Sequence, residues 1–312
     1  RNVDTASGYE EMLLSDEAFA GGVSHRGRDG VFAMELHEHD KYNGSLRARK
    51  SWFFFDNRIV CMGSDIENKA EGGVHTTLFQ NFLVDAADPL VVNGEAVTQF
   101  PYRAELAGGA VLRDNLRNAY FVPKGRVVVS KSLQRSLDEE TDAPTENNFA
   151  TAWIDHGRAP KQAAYEYAVY IQPTNKEITR LIKKDGYEVL RRDNTAHVVK
   201  DLATGITGYV CFGEYTGQGL VRKATGESIV MERTDTDGQV VMSVCTPDLG
   251  LTEKTYTTRQ ESRPIEKEVL LDGAWELAAQ YPGVEAVSHD TGTLLKITCR
   301  HGQPVEFRLK KK

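Results

Sequence analysis

The chain has 312 residues, more than one compact core usually fills, so two domains are expected. With 40% hydrophobic and 27% charged residues it can bury a sizeable core, which excludes wholesale disorder, and no apolar run approaches the ~20 residues of a membrane helix. Lys plus Arg number 38 against 45 Asp plus Glu, a net charge of −7; a dedicated nucleic-acid binder shows the opposite balance, so any polyanion must be met through a local basic patch.

The first residue is Arg1, with no basic, apolar and small-residue succession behind it. No signal peptide is expected in this chain, and its start reads as a cut in something longer. Tyr9-Glu10-Glu11-Met12-Leu13-Leu14 has the look of a helical turn. Short β-type runs separated by turn residues then dominate, and they predict an all-β chain. Phe32–Leu36, Trp52–Phe55 and Arg58–Met62 come first, with a tight hairpin at Asp56-Asn57. Val91–Phe100 contains Asn93-Gly94, the strongest short hairpin signal, because both central residues of a type I′ turn need positive φ. Ala110–Arg113, Ala119–Val122, Arg126–Ser130 and Phe149–Ile154 continue the series. Tyr165–Tyr170 is apolar on both sides and should be covered on both faces.

One helix stands out. Asn175 can cap Lys176–Lys184, where Ile178, Leu181 and Ile182 fall at helical spacing and Gly186 lies just beyond. Strands resume at Tyr187–Leu190, His197–Val199, Thr207–Phe212, Ser228–Met231 and Val240–Cys245, then at Val269–Leu271, Leu294–Cys299 and Val305–Leu309. A sandwich or barrel is the architecture such spacing implies, with Pro173–Gly186 as the domain boundary. Cys61, Cys211, Cys245 and Cys299 are far apart in apolar strands and read as small buried hydrophobes rather than as disulfides or ligands.

Most catalytic signatures are absent: the sequence has no HExxH, no GxSxG, no P-loop and no CxxC. Gly217-Gln218-Gly219 lacks a third glycine and a βα turn around it. His37-Glu38-His39-Asp40 places two imidazoles at strand spacing, the start of a metal site, but further ligands must come from elsewhere, and a solvated polar cluster is the stronger reading. His25-Arg26-Gly27-Arg28-Asp29-Gly30 is a polar loop whose two arginines suit sulfate or carboxylate recognition, against the alternative of a solvated turn. The apolar run Trp52-Phe53-Phe54-Phe55 reads as core rather than as a sugar-stacking platform. Residues 113–135 hold six cations and a single acid, Asp114, and residues 138–146 then hold five acids. A basic stripe of that kind would attract a polyanionic chain, unless the two segments neutralise each other in space. Arg26, Arg28, Arg113 and Arg126 are therefore the candidate substrate contacts. Asn43-Gly44-Ser45 matches a glycosylation sequon, a triplet common by chance.

Several strings go beyond generic β pattern. Phe19-Ala20-Gly21-Gly22 leads into the HRGRDG loop and Phe32-Ala33-Met34-Glu35-Leu36. Ala48-Arg49-Lys50-Ser51-Trp52-Phe53, Ile59-Val60-Cys61-Met62-Gly63-Ser64-Asp65-Ile66 and Thr76-Thr77-Leu78-Phe79-Gln80 follow. Then come Trp153-Ile154-Asp155-His156-Gly157, Pro160, Tyr165-Glu166-Tyr167 and Val244-Cys245-Thr246-Pro247-Asp248-Leu249. In this order the strings resemble the C-terminal β region of polysaccharide lyase family 8, with the nearest look to the broad-specificity chondroitin sulfate ABC lyases. The likeness is strongest before Tyr170.

The resemblance implies a secreted or periplasmic bacterial lyase for glycosaminoglycans, built from an N-terminal helical toroid, a central antiparallel β super-sandwich and a smaller C-terminal β domain. Residues 1–172 would be the later part of the central sandwich and 173–312 the C-terminal β-sandwich domain. The implied partners are a chondroitin or dermatan sulfate chain and the toroid of the same enzyme, with neither nucleic acid nor membrane involved. The implied reaction is β-elimination at a uronic acid: its carboxylate is neutralised, the C5 proton leaves, and the departing O4 is protonated. The family's catalytic Asn, His, Tyr and Arg belong to the toroid, and a further Glu aligns before Arg1, with Glu10, Glu11 and Glu17 near that point. No catalytic residue is therefore assigned within this chain, His25, His156 and Tyr167 included; His156 is expected to hold a turn. No cofactor is called for here, and calcium or another divalent cation is left open for the whole enzyme.

Overall fold

The computed structural model describes residues 15–138, 140–182, 186–251 and 260–312. The helical turn expected at Tyr9–Leu14, and Glu139 of the acidic run, lie outside the described residues. The architecture is all-β and antiparallel, with one short α-helix at Asn175–Ile182. Contacts group the described chain into two compact units: residues 15, 37–47 and 66–182 form one, and residues 16–36, 48–65 and 186–312 form the other.

The first unit is a two-layer sandwich. One layer has four strands in the spatial order Gly73–Phe82, Pro144–Arg158, Arg126–Leu137, Tyr102–Ala107. The other runs Ala163–Tyr170, Ala119–Val122, Ala110–Arg113, Leu90–Val92, Glu95–Val97. Alternation along Pro144–Arg158 explains the packing: Ala150, Ala152 and Ile154 are buried while Thr151, Trp153 and Asp155 are not. Phe79 meets Tyr120 across the layers with ring centroids 5.0 Å apart. Lys131 also points inward and is fully buried; its ammonium donates to the carbonyls of Asp88 at 2.8 Å and Thr98 at 3.2 Å. Tyr165, Tyr167, Ala168 and Tyr170 are buried, as expected for a strand covered on both faces.

The second unit has three layers. Its middle sheet has seven strands in the order Tyr187–Arg192, Ala196–Asp201, Ile206–Cys211, Ser228–Thr234, Val240–Cys245, Val305–Lys311, Trp275–Leu277. The inner strands of this sheet are buried on both faces, so Ile206–Cys211 and Val240–Cys245 are covered along their whole length. Val198, Tyr209, Cys211, Val230 and Val244 face the five-stranded layer that carries Val269, Leu271, Leu295 and Ile297. Val199, Ile206, Val210, Ile229 and Met231 face Phe53, Phe55, Val60 and Met62 on the opposite side. Gly208 is required there, since a Cβ would sit 2.7 Å from the Phe53 ring.

That packing sets the grouping. Residues 16–36 and 48–65 join the chain after 186. The inward side chains of Arg47–Phe55 and Arg58–Glu67 bury against the seven-stranded sheet, a long-range contact that local pattern does not encode.

The turns follow their residues. Asp56 (φ 49°) closes the hairpin between Arg47–Phe55 and Arg58–Glu67, and Asn93-Gly94 (φ 50° and 91°) forms the expected turn between Leu90–Val92 and Glu95–Val97. The helix cap differs from expectation. Thr174, not Asn175, holds the first turn: its hydroxyl accepts from Glu177 N at 3.3 Å, and its own N–H donates to Glu177 Oε2 at 2.7 Å. A Thr with a Glu three residues on satisfies two orphan donors, which Asn175 alone could not do. All four cysteines are buried and outside any disulfide; burial pushes Cys211 and Cys245 up to about 12.

Candidate functional site

The outward face of the four-stranded sheet in the first unit gathers polar and aromatic side chains from all four strands. Register fixes its membership. Trp153 lies opposite Val128 on one side and Thr77 on the other, while Asp155 lies opposite Arg126 and His75. Glu105 pairs with Val128, and Arg103 with Ser130. With side chains alternating, His75, Thr77, Gln80, Phe82, Phe149, Thr151, Trp153, Asp155, Arg126, Arg103 and Glu105 share one face.

Around Trp153 the charged groups form a chain. His75 Nε2 stands 3.6 Å from Asp155 Oδ1, and Asp155 Oδ2 is 3.4 Å from Arg126 Nη1. Arg126 Nη2 donates to Glu105 Oε2 at 2.5 Å, and Arg103 Nη2 to Glu105 Oε1 at 3.1 Å. The two ends of the chain return to the indole: the His75 ring stacks on it with centroids 5.4 Å apart, and the Arg103 guanidinium lies 5.5 Å from its centroid. Trp153 Nε1 has no hydrogen-bond partner among the described residues. The Arg126 guanidinium, and then that of Arg103, hold the Glu105 carboxyl below the usual carboxylate range.

Further along the strands the face turns to amides. Gln134 donates to Thr151 Oγ1 at 2.9 Å and accepts from Gln80 Nε2 at 2.6 Å. It ends at a second aromatic group, Phe82 edge-on to Phe149 at 6.1 Å. From Phe149 to Trp153 is four strand residues, or about 13 Å.

The four arginines singled out in the sequence are placed separately. Arg26 and Arg28 flank Gly27 in one turn of the second unit. Arg26 donates to Asp235 at 3.0 Å and its backbone N–H to Glu306 at 2.7 Å, whereas Arg28 pairs with Asp56 at 2.5 Å. Arg113 closes the strand Ala110–Arg113, where its Nε donates to the Arg117 carbonyl at 3.4 Å. Arg126 belongs to the Trp153 face. Of the remaining cations in the basic segment, Lys131 is buried and Arg135 pairs across the hairpin with Glu146 at 3.0 Å. For Arg135 the acidic run is the neutralising partner, one of the two outcomes the sequence left open.

Other motifs serve the fold. His156 lies in a strand rather than a turn; its Nε2 is 2.8 Å from Thr76 Oγ1 and its ring packs on Tyr165 at 5.9 Å. The bend after it is held by Asp155, which accepts from Gly157 N at 2.9 Å. His37 and His39 do not converge as strand neighbours would. His37 Nε2 is 3.0 Å from the Gly44 carbonyl, and His39 Nδ1 accepts from Lys41 N at 3.1 Å. The aromatic run splits by alternation: Phe53 and Phe55 are fully buried, while Phe54 is 39% exposed beside a half-buried Trp52. His75, Arg103 and Glu105 were not singled out in the sequence. Their signal was the i, i+2 pairing of Arg103 and Glu105 and of Trp153 and Asp155, visible only once neighbouring strands are known.

Comparison with known proteins places this arrangement in a family. Residues 2–182 match polysaccharide lyase family 8, super-sandwich domain. The chain is 36% identical to a chondroitin sulfate ABC exolyase of Bacteroides thetaiotaomicron, over 99% of the chain and 32% of that protein. It is 34% identical to a chondroitin sulfate ABC exolyase of Proteus vulgaris, over 89% of the chain and 30% of that protein. The chain thus spans about a third of the length of these relatives. The solved structure of a Paenibacillus xanthan lyase superposes on 97% of the chain and 29% of its own with a TM-score of 0.81 at 21% identity, a likeness of fold. The chain belongs to polysaccharide lyase family 8.

Proposed function

We propose that this chain is the β portion of a glycosaminoglycan lyase that acts on chondroitin or dermatan sulfate. The observation that carries the reading is the 36% identity to a chondroitin sulfate ABC exolyase along 99% of the chain. The reaction is β-elimination at a uronic acid, which demands a countered carboxylate, a base for the C5 proton and an acid for the leaving oxygen. These groups belong to a helical portion of the same enzyme, and this chain supports that portion and contacts the polysaccharide without being catalytic alone. Arg26, Arg28, Arg113 and Arg126 are its proposed cationic contacts. An extracellular polysaccharide substrate places the enzyme in the periplasm or outside the cell.

The experiment is an ultraviolet assay for unsaturated uronate, using the protein that carries this chain on chondroitin sulfate, dermatan sulfate, hyaluronan and xanthan. Product from the first two supports the reading. Product from xanthan alone, or from none of the four, contradicts it.

A further inference from the structure

We propose that the outward face of the four-stranded sheet, from Trp153 to Phe82 and Phe149, is a binding site for an extended acidic glycan. The proposal rests on the glycosaminoglycan reading above and names a site for it.

Three features of the face fit that ligand. Its two aromatic groups stand about 13 Å apart along the strands, a span of a few pyranose rings, and each offers a surface for the apolar side of a sugar. Between them, Gln80, Gln134 and Thr151 are held in a hydrogen-bonded row, a set of donors and acceptors matched to ring hydroxyls. At the Trp153 end the accessible charge leans positive. The side chains of Arg103 and Arg126 are 57% and 55% exposed, whereas that of Asp155 is 15% exposed. Glu105 is the one well-exposed carboxylate in the cluster, and it bridges the two guanidiniums, so their forks are fixed in direction. Such pre-oriented forks suit a carboxylate or sulfate on a sugar stacked at Trp153. A protein partner would find little apolar surface between the two aromatic ends.

The test measures binding of size-defined chondroitin sulfate oligosaccharides to the 312-residue chain by calorimetry, with neutral dextran oligosaccharides as the second probe. The account expects chondroitin sulfate to bind and dextran to bind weakly. Trp153→Ala and Arg103→Ala should each weaken binding by about tenfold, equivalent to about 1.4 kcal/mol. Arg222→Ala, an exposed ion-pair residue of the other unit, should leave it unchanged. Because Arg103 is largely exposed, its variant tests the site even if Trp153→Ala fails to fold. Undiminished affinity in Arg103→Ala and Trp153→Phe binding no better than Trp153→Ala would overturn the site, as would no chondroitin sulfate binding at all. Equal binding of dextran would overturn the acidic class. None of these results bears on product formation, which judges the lyase reading separately.

Discussion

The Ser64 hydroxyl donates to the Asp193 carbonyl at 3.0 Å, so toward His197 Nε2, 2.9 Å away, it can only accept. That fixes the proton of His197 on Nε2 and leaves Nδ1 to accept from Ser51 Oγ at 2.8 Å. Both ring nitrogens are satisfied in the neutral form, and the ring is fully buried between layers of the second unit.

Acid should therefore loosen this unit. Burial pushes His197 down to about 3 from the usual 6.5, so the unfolded state takes up the proton first as pH falls. The stability it contributes is complete above about pH 6.5 and is lost progressively down to about pH 3, at up to about 1.4 kcal/mol per pH unit. Buried His25, also lowered, adds a loss of the same sign. Denaturant titrations at stepped pH should show the slope, and His197→Gln should flatten it. An identical slope in that variant would show that the ring does not carry the effect.

The Arg58–Asp201 pair is the polar counterpart of the same interlayer packing. Arg58 meets the fully buried Asp201 through Nε and Nη2, at 2.5 and 3.0 Å, while Thr204 also donates to Asp201 at 2.7 Å through its N–H. Removing the guanidinium strands a buried carboxylate, so Arg58→Ala should cost about 3–5 kcal/mol. Urea unfolding of Arg58→Ala, Asp201→Asn and the double variant should show strong coupling; additive losses would contradict the paired geometry.

Gly208 should be intolerant of any side chain. Alanine would press its Cβ to 2.7 Å from the Phe53 ring, an overpacking of about 1–3 kcal/mol. Phe53→Leu should be destabilising alone yet recover part of the loss beside Gly208→Ala. Thermal melts of the two single variants and the double variant decide this, and no recovery in the double would remove the explanation.

Lys131 is the sharpest test of the basic stripe. Its ammonium is buried against the Asp88 and Thr98 carbonyls, so it holds a loop and cannot meet a polyanion. Lys131→Met should lower stability by about 1–3 kcal/mol through carbonyls left unpaired. The folded variant should keep the wild-type salt-dependent retention on a chondroitin sulfate column. Weaker retention by a folded Lys131→Met would contradict this.

Short apolar strands were legible in the sequence, and Ala110–Arg113, Ala119–Val122 and Val240–Cys245 begin and end as expected. Ala20–His25 and Tyr102–Ala107 escaped notice. The first carries two glycines, which lack a side chain to show the pattern, and the second alternates half-buried with charged residues on an outer strand. The family was legible from the order of short strings, but the Trp153 site was not. Its members come from four strands spread between His75 and Asp155, and only strand order brings Arg103, Arg126 and Trp153 onto one face. The cap at Thr174 was readable in principle, since Thr with Glu177 is a capping pair; Asn175 drew attention as the residue beside the apolar pattern.

The central claim is that this chain serves a lyase whose acid and base groups lie elsewhere in the enzyme. The direct measurement is the ultraviolet assay on chondroitin sulfate with the purified 312-residue chain alone. The account predicts salt-sensitive binding and no unsaturated uronate. Steady product formation by the chain alone, free of any longer species by intact mass, would contradict it and put the catalytic groups within these 312 residues.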